Sequence, residues 1–242
     1  MAYRGVLYRK QMEVRGTSKE ALPLDGAIAK LKTMGGVKID RKYKGARKRG
    51  GADQTVELVC HLGIDAKQAD QMLRGAISLP KGLGKSRKVV AFCDGSMAQD
   101  AKSAGAVEAG ADELIEKVMG GWFDFDVAIA HPSLMGKVGK LGKVLGPQGK
   151  MPSPKAGTVT PDVITAVREF TAGRIEFRND AGGNIHLPVG KMSFSSDDIK
   201  ANVNAVIETL QRMKPATAKG QYIKRVCISG TRTPSVTVAV SG

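Results

Sequence analysis

Apolar positions along the chain follow two periods, and the switches between them outline its elements. Leu24, Ile28, Leu31 and Met34 keep helical spacing and stop at Gly35-Gly36, which can close a short helix. Gln54 to Ile64, QTVELVCHLGI, alternates and is rich in β-branched residues, the mark of a strand. After Asp65 comes a helical-looking AKQADQML. Val89 to Cys93 is a short apolar strand, Met97 to Gly105 is helical, and Leu114, Ile115, Val118 and Met119 mark a helix stopped by Gly120-Gly121. Phe125 to Ala130 is a second clear strand. This alternation predicts a parallel sheet covered by helices.

Further on, Leu134, Val138, Leu141 and Leu145 predict an amphipathic helix that runs into a loop punctuated by glycine and proline, ending at Val159. At Thr160-Pro161-Asp162 a helix is expected to start, with Thr160 as cap, Pro161 in the first helical position and Asp162 at the positive end. Val163, Ile164, Val167 and Phe170 give it an apolar face, and Gly173 can end it. RIEFRNDAGGNIHLPVGKMSF, residues 174–194, reads as a hairpin with Arg174, Glu176 and Arg178 on one face and Ile175 and Phe177 on the other. Ser196 to Met213 is a core-facing helix carrying Ile199, Val203, Val206, Ile207, Leu210 and Met213. YIKRVCISGTRTPSVTVAV closes the pattern as two strands around a turn at Gly230 to Pro234. The stretch before Arg15 is basic and weakly patterned, a surface arm or short helix.

Composition narrows the partners. A 42% apolar fraction over 242 residues is ample for one large or two modest cores. The 38 Lys and Arg exceed the 23 Asp and Glu by +15, and the pI is near 9.8, a field suited to phosphate or another polyanion. MAYRGVLYRKQMEVRG contains no secretory apolar region, and no run is long enough for a bilayer span, so the chain is expected to be soluble and intracellular. Cys60, Cys93 and Cys227 are odd in number and form no C-x-x-C pair, which argues for buried thiols rather than a disulfide frame or zinc site. His61, beside Cys60 in a strand, is expected to be structural; no metal and no cofactor is expected.

Two phosphate motifs fail on their details. Gly84-Lys85-Ser86 ends like a Walker loop, but Leu79 stands where the first glycine is required and a strand follows where a helix should. The turn after Val89 to Cys93, DGSMAQD, lacks the glycine fingerprint of a dinucleotide site. Basic clusters remain. Arg41, Lys42, Lys44, Arg47, Lys48 and Arg49 sit among glycines, and such a loop gains affinity for RNA by counterion release, with Arg47, Lys48 and Arg49 as auxiliary phosphate contacts. From Val127 to Pro161 no acid occurs, while lysines follow glycines at Gly136, Gly139 and Gly142; Lys140, Lys150 and Lys155 are the auxiliary contacts expected there.

That acid-free segment resembles a known signature. Lys140, Leu141-Gly142, Leu145-Gly146-Pro147, Gly149, Pro152, Pro154-Lys155 and Gly157-Thr158-Val159 match in order the pattern of the large-subunit ribosomal protein L-one family, whose members form the mobile stalk beside the tRNA exit site. HLGID at the end of the first strand and LPKGLGK before Ser86 are further family motifs. By this resemblance Thr55, Glu57, Arg178, Asp180, His186, Lys191 and Ser193 lie at or beside the RNA surface. Thr231 carries over from the family's threonine-methionine-glycine turn, where Arg232 replaces the methionine and can add its own contact. The family's lysine-aromatic pair ahead of the first strand is Gly51-Ala52 here, and the basic residues Lys38 to Arg49 are placed to stand in for it.

The resemblance implies an α/β protein of two domains. A discontinuous two-layer α/β domain with an antiparallel sheet, residues 1–72 and 160–242, would bind rRNA, and an inserted three-layer α/β domain with a parallel sheet, of Rossmann-like type, would occupy 73–159. It implies no enzyme. The implied function is binding of 23S-type rRNA to form the stalk that releases E-site tRNA, with repression of its own mRNA in bacteria, as a monomer within a cytoplasmic or organellar ribosome. A nucleotide-dependent enzyme and a general polyanion or membrane-surface binder are the alternatives. Competition by structured rRNA, nucleotide and anionic lipid separates the three.

Overall fold

The computed structural model describes residues 6–16, 20–37, 53–218 and 220–239. The basic cluster with Arg47, Lys48 and Arg49 lies outside the described residues. In chain order the elements are α1 (Val6–Arg15), α2 (Leu24–Gly35), β1 (Thr55–Leu62), β2 (Arg74–Ser78), β3 (Val89–Phe92), α3 (Gly95–Ser103), β4 (Glu108–Gly110), α4 (Asp112–Met119) and β5 (Val127–Ala130). There follow α5 (Met135–Val138), α6 (Gly142–Leu145), α7 (Val163–Ala172), β6 (Arg174–Arg178), β7 (Asn184–Lys191), α8 (Ser196–Arg212), β8 (Ile223–Gly230) and β9 (Val236–Val238).

Contacts divide the chain into two compact units, Met1–Leu73 with Leu79–Gly84 and Arg178–Gly242, and Arg74–Ser78 with Lys85–Phe177. The first is two-layered. Its sheet runs β7-β1-β8-β9, antiparallel at each interface, and α2 and α8 cover one face. Alternation in β1 sends Val56, Leu58, Cys60 and Leu62 inward, where Ile28, Leu31, Met34, Ile199, Val203, Val206 and Leu210 complete the core. Each such aliphatic side chain contributes about 1.5–3 kcal/mol by leaving water. Ser195 caps α8, its Oγ accepting from Asp198 N at 3.0 Å.

The second unit is three-layered around the parallel sheet β4-β3-β5. Every β3 side chain is buried because both faces are covered. Val90 and Phe92 meet Leu114, Ile115, Val138, Leu141 and Leu145 on one side; Val89 and Ala91 meet Ala101, Val163, Val167 and Phe170 on the other.

Several expectations are corrected. The helix from Leu134 to Leu145 buries its apolar stripe as expected but is broken into α5, a 3₁₀ turn at Gly139–Leu141, and α6. Glycine at every third position weakens the α-helical preference there. AKQADQML forms only a 3₁₀ turn at Ala69–Gln71. Asp162, not Thr160, caps α7, with Oδ1 accepting from Thr165 N at 3.1 Å; Thr160 Oγ1 accepts from Asp162 N one step earlier. The proposed hairpin of residues 174–194 does not form. β6 pairs with β2 and β7 with β1, leaving only the bridge Asn179 to Ile185 between the arms. The boundary near Thr160 also moves, since α7 supplies Val163, Val167 and Phe170 to the second unit's core.

Candidate nucleic-acid interface

Among the described residues no helix covers one face of the first unit's sheet, and Thr55, Glu57, His186 and Lys191 of the expected RNA contacts project there. Thr55, Glu57, Val59 and His61 are the outward positions of β1. Antiparallel register puts Lys191 opposite Thr55, Pro188 and Ser229 beside Glu57, His186 and Cys227 beside Val59, and Asn184 and Arg225 beside His61. Strict alternation would have turned Lys191 into the core. A bulge between Val56 and Glu57, opposite Gly190 and Pro188, resets the phase, so that Val189 and Gly190 are both buried and Lys191 returns to the outer face. Gly190 has φ 153°, and a Cβ there would lie 3.0 Å from Phe194 Cδ2, so the bulge requires glycine.

At this end three chain segments are clasped together. Thr231 N donates to Thr55 O at 3.1 Å, Thr55 N donates to Thr231 Oγ1 at 3.2 Å, and Lys191 Nζ donates to Thr55 Oγ1 at 2.8 Å. Ser193 is fixed by Asp53, which accepts from its N at 3.1 Å and its Oγ at 2.6 Å; Gln54 Oε1 accepts from Arg232 N at 3.1 Å. Thr233 Oγ1 accepts from Gly230 N at 2.8 Å and tightens the terminal turn. The result is a rigid edge of hydroxyls and cations with exposed Glu57 next to it.

The remaining expected residues divide. His186 is exposed on the same face, two positions along β7 from Pro188, whereas Asp180 serves the turn into β7. Its carboxylate accepts from Asn184 N at 2.7 Å, Asn184 Nδ2 at 3.0 Å and Gly182 N at 2.9 Å, and lies 3.9 Å from His186 Nε2. The Asn184 bonds, ahead of Gly182 and His186, hold its carboxyl below the ordinary aspartate range. Arg178 is exposed at the end of β6. Asp53 and Gln54 are supporting residues that the sequence reading missed: their signal was only proximity to Thr55, and their partners, Ser193 and Arg232, lie far along the chain.

The acid-free segment belongs to the second unit. Lys140 and Lys155 are exposed there, but Lys150 is tied down, with Nζ 3.0 Å from Phe123 O and 5.1 Å from the Phe125 ring centroid. One of its three N–H donors is thus held internally. Much of the signature is structural. Gly157, at φ 69°, ends the Pro154–Ala156 turn with Arg174 Nη2 2.8 Å from where a Cβ would stand. Thr158 Oγ1 accepts from Ser153 N at 2.8 Å and donates to Ser153 O at 3.1 Å. LPKGLGK is explained likewise: Gly84, at φ 72°, would place a Cβ 2.7 Å from Phe194 Cε1.

The model of the ribosomal protein L1p/L10e family matches residues 41–234, spanning both the clasp and the acid-free segment. The chain belongs to that family. It is similar to the large ribosomal subunit protein uL1 of Lactobacillus gasseri, 50% identical over 200 residues that cover 82% of this chain and 87% of the relative. As a ribosomal protein it is a component of a ribonucleoprotein, which accounts for the charge of +15. The unit with the clasp brings together residues from β1, β7 and the terminal turn, and the second unit carries the lysines of the family signature.

Proposed function

We propose that this protein is a structural constituent of the large ribosomal subunit that binds a structured element of its rRNA through the open sheet face of the first unit. The observation that carries this reading is the clasp: Thr55, Lys191, Ser193 and Thr231, distant in sequence, meet on one rigid edge with Glu57 and Arg232 alongside. Such preorganised hydroxyls and cations fix a nucleic-acid backbone with little ordering cost at the moment of binding. His186 extends the face, and Arg178 together with Arg47, Lys48 and Arg49 adds phosphate neutralisation. The similarity to a large-subunit protein supplies the partner.

On this reading the bound element is the mobile stalk. The exposed Lys140 and Lys155 of the second unit meet the backbone of E-site tRNA, and a fold in the protein's own mRNA that mimics the rRNA element permits translational repression. The protein acts as a monomer. Filter binding of the full chain to the stalk rRNA fragment, beside random RNA at equal salt, tests the central claim. Cognate RNA is expected to bind about 10³-fold or more tighter, by analogy with specific nucleic-acid readers, and nucleoside triphosphate to displace neither. Equal affinity for both RNAs overturns it.

A further inference from the structure

Away from the clasp, the same sheet face holds an open depression of about 500 Å³ lined by Val59, His61, Asn184, Lys224, Arg225 and Cys227. Its size falls in the range of small-molecule sites, roughly 300–1,000 Å³. Val59 and Cys227 are directly paired across β1 and β8 and give an apolar, part-buried floor. His61, between Asn184 and Arg225 in the next outward row, forms a polar edge.

That edge is oriented. Asn184 Nδ2 donates to Asp180 Oδ2, so its Oδ1 faces His61 Nδ1 at 2.8 Å. Because Oδ1 only accepts, Nδ1 carries a ring proton, and Nε2 is left without a partner from Asn184. Asp180 therefore acts through Asn184 as a positioning residue, its own oxygens committed to the turn. Lys224 and Arg225 are both exposed, and neither joins an ion pair among the described residues. Two unpaired cations beside an apolar floor and a hydrogen-bonding edge make a surface complementary to a nucleotide: phosphate, base face and base edge each have a counterpart.

We propose that this depression is a nucleotide subsite, in which one unpaired nucleotide of the bound RNA lays its base over Val59 and Cys227 and its phosphate against Lys224 and Arg225. Splayed, unstacked bases are what proteins read in structured RNA. The subsite rests on the RNA-binding reading above and extends the contact surface to β8, where no RNA contact was expected from sequence.

The half-buried Cys227 supplies the test, with the buried Cys60 and Cys93 as unreactive references. The full chain is alkylated with iodoacetamide with and without saturating stalk rRNA fragment, binding is checked by filter retention in the same samples, and modification is read by peptide mass spectrometry. Bound RNA is expected to slow Cys227 alkylation at least about tenfold, as an occupied subsite excludes solvent. The double variant Lys224→Ala, Arg225→Ala should weaken binding roughly tenfold, reduce the salt slope by about 2, and restore alkylation. RNA bound with Cys227 alkylated at its free rate overturns the subsite and leaves the RNA-binding reading standing; no RNA bound removes both. The protection measurement needs no variant, so a misfolded double variant does not obscure the result.

Discussion

Thr231 works inside the protein before any RNA arrives. Its hydroxyl accepts from Thr55 N and donates to Thr55 O, both at 3.2 Å, so Thr231→Val removes a strand-to-turn tie as well as the proposed contact for RNA. About 1 kcal/mol of stability should go with the tie and about 1–3 kcal/mol of rRNA affinity with the contact. Urea unfolding and filter binding at fixed salt measure the two separately; unchanged affinity removes Thr231 from the interface. Two other residues carry a pH signature. Burial, and to a lesser degree Cys227, pushes the Cys60 thiol to about 12, while burial, and then Cys60, pushes the Tyr222 phenol to about 12. Both are raised above their unfolded values, about 8.5 and about 10, so their contribution is complete below those values and is lost as pH climbs toward 12. The urea midpoint should therefore fall from about pH 9 upward, and less steeply in Tyr222→Phe. A fall of equal steepness in that variant would exclude the phenol as a source.

At the scale of elements, glycines separate into those the fold requires and those it does not. Gly190 makes the bulge that aims Lys191 outward, so Gly190→Ala should cost more than about 1 kcal/mol of stability and weaken RNA binding together. Gly139 and Gly142 are different: both are helical, with φ near the ordinary value, and a Cβ at either would meet nothing within 4 Å. Alanine there should stabilise the segment by about 0.5–1 kcal/mol each. Thermal melts of the three variants check the contrast. The same scale shows where periodicity misleads. Residues 174–178 and 184–191 alternate as two arms of a hairpin should, yet β6 finds β2 and β7 finds β1, because alternation specifies a face and not a partner.

For the whole molecule, the charge of +15 and the position of α7 have separate consequences. RNA affinity should fall linearly with salt on logarithmic axes, by roughly 0.7 to 0.9 for each phosphate neutralised; a flat response between low and moderate salt would contradict a phosphate-based contact. Since α7 lines the second unit's core, a fragment of residues 74–177 should unfold cooperatively in urea, while one of residues 74–159 exposes Val89, Ala91 and Ile129 and should not. Sequence by itself determined the strands and helices with strong periods, the basic character, and through long ordered motifs the family; these depend on neighbours in the chain or on composition. It also named Thr55, Lys191, Ser193 and Thr231, but as separate positions. Only the tertiary structure decided that they form one clasp, that Lys150 bonds Phe123 O, that Asp180 orients Asn184 and His61, and that α7 belongs to the second unit. Each of those depends on pairing and register between segments far apart in the chain, which local pattern does not encode.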